Sequence, residues 1–196
     1  MTRRLLFIRH GESESNRLGL ISNCRDRYHL LEEGKEQINF ISEHIHNFGL
    51  KVVYTSPYAR ARESAEIISS NLDIPIIADE RLRETDYGQL NNTVMVGRVI
   101  DMDPEMARER GVESLESHRL RTDSFMSGCP DRSAIVTHGL VVRAAVSIIT
   151  GIGQDEMGGI HIRPGSMTLL DADLKKVYSI GNFLVSGRMQ KTFSLD

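Results

Sequence analysis

The chain reads as an α/β protein, a three-layer α/β/α sandwich around a mostly parallel central sheet. Short, largely apolar runs such as Leu5-Leu6-Phe7-Ile8 and Ser133-Ala134-Ile135-Val136-Thr137 have the pattern of strands buried on both faces. Helical patterns alternate with such runs along the chain, the order expected when helices cover both faces of a parallel sheet. Twice, at His10-Gly11 and at His138-Gly139, a buried run ends in a polar, glycine-bearing loop.

The first strand is Leu5 to Ile8, and the loop Arg9-His10-Gly11-Glu12-Ser13 begins where it stops. From Glu33 to Phe48 the apolar residues Ile38, Ile41, Ile45 and Phe48 recur at helical spacing, with Gly49 placed as the stop. Val52-Val53-Tyr54 follows as a strand. Ser56 is then expected to cap a helix whose first residue is Pro57, a position where the missing N–H costs nothing. Pro75-Ile76-Ile77 is the next strand and Arg81 to Gly88 a polar loop. Asp103-Pro104 reads as the cap and first residue of one helix, and Ser114 to Met126 as another. Behind the strand at Ser133 to Thr137, the apolar stretch Leu140 to Thr150 is a helix closed by Gly151. Met167-Thr168-Leu169-Leu170 and Val177-Tyr178-Ser179-Ile180, joined through Asp171-Ala172-Asp173, form a closing hairpin and an antiparallel edge. Functional loops gather at the carboxyl ends of the strands of such a sheet, so the loops at His10, Ser56 and His138 are expected on one rim.

Composition narrows the function classes. A chain of 196 residues, 40% hydrophobic and 26% charged, has the size of one domain with its own core; we take 1–196 as that domain, with 91–130 as a short lid. A formal net charge of −3 lacks the basic footprint that nucleic acid requires, and no stretch approaches the roughly 18 apolar residues of a membrane span. Neither is an expected partner, while a homodimer stays open. The start Met1-Thr2-Arg3-Arg4 resembles a secretion leader only until Arg9-His10 interrupts the apolar stretch. Cys24 and Cys129 form neither a disulfide framework nor a C-x-x-C site, which fits a reducing cytoplasm. His44 and His46 are two apart on a helix and face different sides, and no zinc spacing is present, so no metal is expected. His29, His118 and His161 are read as surface or structural residues, and Met95, Met102 and Met106 as lid packing. No G-x-x-x-x-G-K-[ST] loop occurs, and Gly11-Glu12-Ser13-Glu14-Ser15 lacks the closing glycine of a nucleophile elbow.

Taken singly, Arg9-His10-Gly11 is a tripeptide that recurs by chance, Arg60 a helix-surface residue and Glu84 one charge in a charged run. The ordered set is far more specific. Arg9-His10-Gly11-Glu12-Ser13 through Asn16 resembles the opening signature of the histidine phosphatase superfamily, which includes cofactor-dependent phosphoglycerate mutases. Leu31 with Gly34 and Gln37 is similar to the L-T-x-x-G-x-x-Q run that follows it there. Ser56-Pro57-Tyr58-Ala59-Arg60-Ala61 with Ser64-Ala65 resembles S-P-x-x-R-A-x-x-T-A, and Leu82-Arg83-Glu84 with Gly88 resembles L-x-E-x-x-x-G. Gly111 to Leu115 is similar to the G-E-S-L segment, and Thr137-His138-Gly139, with Arg143 in the next helix, to the second histidine motif. The likeness runs from residue 3 to about residue 150.

That resemblance implies a metal-independent phosphate transfer with no cofactor. His10 would be the nucleophile that forms a phosphohistidine, splitting one hard step into two easier ones. Arg9 and Arg60 would clamp the phosphoryl oxygens with planar, charge-assisted hydrogen bonds. His138 would stabilise the same oxygens, with the backbone N–H of Gly139 beside it. Glu84 would be the general acid that protonates the leaving alkoxide and then the base that activates water. Asn16 either shapes its loop or touches phosphate, and Arg143 is a helix residue or a supporting partner. His10 must be unprotonated to attack. Its ordinary pKa of about 6.5 is lowered by neighbouring arginines and raised again by an incoming dianion.

The expected substrate is a small phosphate ester, and hydrolysis is the favoured outcome. Mutases of the family carry a long insertion with an arginine pair between the acid and the second histidine. Here Glu84 and His138 are 54 positions apart with no Arg-Arg between them, and Asn23-Cys24-Arg25 does not resemble the mutases' substrate loop. The chain also departs from the family at Leu90-Asn91-Asn92, where Trp-Glu-Gly is common, and at Ser64, where threonine is usual. The alternatives kept are a 2,3-bisphosphoglycerate-dependent phosphoglycerate mutase and a non-catalytic phosphate-binding protein on the same fold.

Overall fold

In the computed structural model of the chain, residues 2–94 and 102–194 are described. Six strands form the central sheet: β1 (Arg4–Arg9), β3 (Val52–Thr55), β4 (Ile76–Ala78), β6 (Ser133–Thr137), β7 (Met167–Asp171) and β8 (Lys176–Asn182). Their spatial order is β4-β3-β6-β1-β7-β8. β1, β3, β4 and β6 run parallel, whereas β7 is antiparallel to both neighbours and supplies the irregular edge expected from the hairpin.

Alternation along the strands splits the core between two faces, because successive side chains point to opposite sides of a sheet. Leu6, Ile8, Val53, Ala134 and Val136 meet Ile38, Ile41 and Ile45 of α2 (Glu32–Ile45) and Ala61, Ala65 and Ile68 of α3 (Ala59–Leu72). Leu5, Phe7 and Ile135 meet Phe125 and Met126 of α5 (Leu115–Gly128) and Val141, Val142 and Ala145 of α6 (Gly139–Thr150). Leu5 to Ile8 are all fully buried, so this strand contributes to both layers. Burying one such side chain is worth roughly 1.5–3 kcal/mol, which is why so short a run holds the centre of the sheet. The result is the three-layer sandwich expected.

Most predicted boundaries coincide with observed ones. Gly49 and Gly151 sit in left-handed backbone (φ 61° and 77°) behind their helices, as the stop signals require. Asp103 caps α4 (Pro104–Glu109) and Ser114 caps α5, each accepting backbone N–H bonds. One boundary is corrected: α3 begins at Ala59 with Tyr58 as its cap residue, so neither Ser56 nor Pro57 belongs to the helix. The Ser56 hydroxyl is instead engaged with the His138 ring, 2.8 Å away.

Several elements were not anticipated. α1 (Glu14–Arg17) follows the His10 loop, and the two-residue strands β2 (Leu20–Ile21) and β5 (Thr93–Val94) pair with each other. α7 (Gln154–Met157) precedes the closing hairpin. α8 (Gly187–Ser194) returns the chain to the α2 face, where Phe193 stacks on Phe48 at 4.7 Å between ring centroids. Of the segment 91–130, residues 95–101 with Met95 lie outside the described residues. Met106 is 52% exposed and so is not packed, while α5 belongs to the outer layer.

Candidate active site

The register of the sheet builds the site. Arg9 pairs with Thr137 across β1 and β6, so the next residues, His10 and His138, leave the sheet side by side. The His10 N–H still donates to the Thr137 carbonyl at 3.0 Å, and the Ser56 N–H to Val136 at 3.0 Å. Three strand ends therefore carry His10, Ser56 and His138 to one rim.

The loop after β1 is held from beneath by close backbone packing. A Cβ on Gly11 would lie 2.3 Å from the Gly34 carbonyl oxygen, and one on Gly34 only 2.1 Å from that of Glu12. Neither position tolerates a side chain. Gln37 accepts the Glu12 N–H at 2.9 Å, and Leu31 donates to the Glu12 carbonyl at 3.0 Å. Ser64 accepts the Gly11 N–H at 3.2 Å, so the serine found here supplies an oxygen that steadies the loop. These contacts give Leu31, Gly34, Gln37 and Ser64 a physical role: they position residue 10.

His10 is 2% exposed, and its two ring nitrogens have distinct surroundings. Nδ1 lies 2.7 Å from the carbonyl of Gly11, which can only accept, and Nε2 receives the Arg60 Nε–H at 3.2 Å. The neutral ring thus carries its proton on Nδ1 and keeps the Nε2 lone pair toward Arg60. Burial, then Arg60 and Arg9, hold its pKa well below the ordinary value, so the ring is neutral at pH 7.

His138 is fully buried and meets His10 edge-on at 5.1 Å between centroids. Its Nδ1 faces Arg60 Nη2 at 3.4 Å and its Nε2 faces Ser56 Oγ at 2.8 Å. Burial and the charges of Arg60 and Arg9 also depress its pKa. Arg60 further donates to the Ser22 carbonyl at 2.9 Å, which fixes the fork between the two imidazoles.

A pocket of about 190 Å³ opens in front of this pair. Arg9, His10, Asn16, Arg60, Glu84 and Gly139 line it, so six of the seven predicted site residues share one cavity wall and His138 stands behind them. Arg9 Nε and Arg60 Nη1 are buried with no hydrogen-bond partner among the described residues. A buried, unpaired N–H on a cation is costly, and an oxyanion in the pocket would relieve both. Asn16 Oδ1 accepts from the N–H and hydroxyl of Ser13, so its oxygen shapes the loop and only Nδ2 is left for a ligand. Glu84 Oε1 accepts the Thr85 N–H at 3.0 Å.

Sequence reading missed several wall residues. Tyr87 is 5% exposed and lines the pocket, and burial followed by the Glu84 charge keeps its phenol well above the ordinary range and so neutral. Ser15, Leu20, Ile21, Ser22 and Leu140 complete the wall; Arg143, expected as a helix residue or supporting partner, also lines it and donates to the Ile160 carbonyl at 2.8 Å. Only the sequence proximity of Ser15 and Ser22 to the His10 loop, and of Tyr87 to Glu84, could have marked them. Among the described residues no group of three or more His, Cys, Asp or Glu side chains is placed to hold a metal ion. No helix of the described residues is long and apolar enough to cross a membrane.

A mostly parallel sheet whose strand ends bring Arg9, His10 and His138 together, with Arg60 of α3 between the two neutral imidazoles, defines a phosphoryl-handling enzyme. The chain belongs to the histidine phosphatase superfamily, branch 1, whose family model matches residues 5–179. It is 25% identical over 198 residues to a 2,3-bisphosphoglycerate-dependent phosphoglycerate mutase of Thermoplasma acidophilum, covering 97% of this chain and 98% of that one. It is 27% identical over 164 residues to phosphoserine phosphatase 1 of Hydrogenobacter thermophilus, covering 76% and 77%. The α-ribazole phosphatase structure from Shigella flexneri shares the fold at a TM-score of 0.75, with 20% identity and 93% and 98% coverage.

Proposed function

We propose that the chain hydrolyses a small phosphate monoester through a phosphohistidine on His10. The observation that carries this reading is a pair of guanidinium N–H groups, Arg9 Nε and Arg60 Nη1, buried with no hydrogen-bond partner among the described residues, on two arginines that line the same cavity as His10. A phosphoryl group seated on those donors meets a neutral imidazole whose lone pair is on Nε2. Nε2 attacks phosphorus as the ester P–O bond breaks, and protonated Glu84 delivers its proton to the leaving oxygen. Ionised Glu84 then takes a proton from water, whose oxygen attacks phosphorus and breaks the P–N bond. Phosphate leaves and the Nε2 lone pair is restored. His138 supports the phosphoryl site from behind, where its Nδ1 faces Arg60 Nη2 and steadies the guanidinium that holds the oxygens. Gly139 opens α6, so its N–H has no partner within the helix and adds a neutral donor.

Purified protein should release phosphate from p-nitrophenyl phosphate in the presence of EDTA, and His10→Ala should lower kcat/KM by at least about 1,000-fold. Full activity in that variant overturns the reading. Acid-labile labelling of the wild type during turnover, absent in the variant, separates an enzyme from a non-catalytic phosphate binder. The full-length likeness to a phosphoglycerate mutase supports a second reading, isomerisation of phosphoglycerate. Interconversion of 2- and 3-phosphoglycerate stimulated by 2,3-bisphosphoglycerate would select it; hydrolysis without isomerisation selects the first. We place the chain in the cytoplasm on the strength of its two free cysteines, Cys24 and Cys129.

A further inference from the structure

We propose that Arg121 and Glu113 form a positioning device for Glu84, acting on the reaction through the backbone around that residue without touching the ester. The proposal rests on the reading of Glu84 as the acid. Residues 83–87 belong to no helix or strand, so their conformation rests on a few backbone bonds, among them the Glu113 N–H donating to the Asp86 carbonyl at 2.7 Å, and on side-chain contacts. Arg121, on α5, donates from Nη1 to two carbonyls at the start of this segment, Arg81 in the short 3-10 turn Glu80–Leu82 at 2.7 Å and Arg83 at 2.8 Å. Its Nε and Nη2 grip the Glu113 carboxylate at 2.8 and 3.0 Å. Glu113 in turn accepts the Asp86 N–H at 3.1 Å and Arg83 Nη2 at 3.2 Å. One ion pair therefore holds the peptide immediately before Glu84 and the amide two residues after it.

The pair is well placed to resist motion. Its side chains are only 10% and 6% exposed, so solvent does not compete for these bonds as it does on a surface. Burial by itself raises the Glu113 pKa, but the Arg121 hydrogen bonds and charge together with the Asp86 N–H bond outweigh it, so the carboxyl stays below its ordinary value and ionised at pH 7. A third tie comes from the sheet, where Thr137 Oγ1 donates to the Leu82 carbonyl at 2.7 Å. With β6 and α5 anchoring residues 81–83 before Glu84 and Glu113 anchoring Asp86 after it, the carboxyl of Glu84 is delivered to the cavity wall from a segment with no regular structure. A displacement of about 1 Å in an acid is enough to cost on the order of 100-fold in rate, so such a frame has a kinetic consequence.

The test compares two substrates by kcat/KM, which reports only the steps through leaving-group departure. p-Nitrophenolate leaves without help, whereas an alkyl phosphate needs the proton of Glu84. Arg121→Met is expected to lower kcat/KM on the alkyl ester by about 100-fold and on the aryl ester by under about 3-fold, the pattern of Glu84→Gln in milder form. Arg121→Lys keeps the charge but loses the fork and carries the same comparison if Arg121→Met does not fold. Equal losses on both substrates, or none, would overturn the proposal, since a merely structural role does not sense the leaving group. If Glu84→Gln itself shows no such dependence, it is the acid assignment that fails.

Discussion

At the residue scale, the chemistry of this protein comes from proton placement. The proposed role of His10 as nucleophile depends on Gly11 holding the proton on Nδ1 and on burial with two arginines keeping Nε2 unprotonated. Ser56 does the corresponding service for His138, and Ser56→Ala removes the partner of that ring's Nε2. We expect kcat to fall by about 10-fold with little change in KM, since one hydrogen bond orients the ring and binds no substrate; a change confined to KM would contradict this. Gly34 acts at a distance of one peptide. Gly34→Ala puts a methyl 2.1 Å from the Glu12 carbonyl, so the loop must shift. Overpacking of that kind costs about 1–3 kcal/mol, and both urea unfolding and phosphatase assays should register it, although residue 34 does not line the cavity.

At the scale of elements, the strand ends do the positioning and the outer helices hold them in place. The β1–β6 register alone sets the two histidines beside each other, and a slip of one residue would turn every side chain of the strand to the opposite face. α8 illustrates the opposite case, an element remote from the cavity whose work is cohesive. Phe193 is fully buried against Phe48. Phe193→Ala should cost about 3–5 kcal/mol in denaturant unfolding while kcat and KM stay at wild-type values. A loss of activity without a loss of stability would mean that α8 reaches the site in some way its packing does not show.

For the whole molecule, three histidines stored neutral make stability depend on pH. His10 and His138 are held well below the ordinary value, chiefly by burial, and His118 is lowered by burial to about 3. All three are uncharged when folded at pH 7 and ordinary when unfolded. Because the folded pKa is the lower one, the stabilisation is complete above the unfolded value of about 6.5 and is lost as pH falls toward the folded values. Unfolding free energy should therefore drop by up to about 4 kcal/mol per pH unit from these three groups between pH 6 and 4. His118→Leu, which removes one of them and a buried Nε2 without a partner, should reduce that slope by about a third. An unchanged slope would show that His118 titrates normally in the native state. For catalysis the same direction predicts that kcat/KM does not decline through His10 protonation near pH 6.5.

Local patterns in the chain were enough to establish the main strands and helices and which residue types meet, but not α1, α7, α8 or the β2–β5 pair. The apolar runs at Leu5 and Ser133, the stop glycines and the caps at Asp103 and Ser114 depend on interactions within a few residues, so they are legible without a fold. Arg9, His10, Arg60, Glu84 and Gly139 could be picked out because their chemistry is distinctive and their spacing is shared with a family. What the tertiary structure alone decided depends on distant backbone. It alone showed Ser56 facing His138 instead of capping α3, and Gly34 pressed against the His10 loop. It alone placed Tyr87 in the wall and Arg121 and Glu113 on either side of Glu84. Each of those contacts joins segments separated by long stretches of chain, and a periodic pattern carries no information about which distant peptide a side chain will reach.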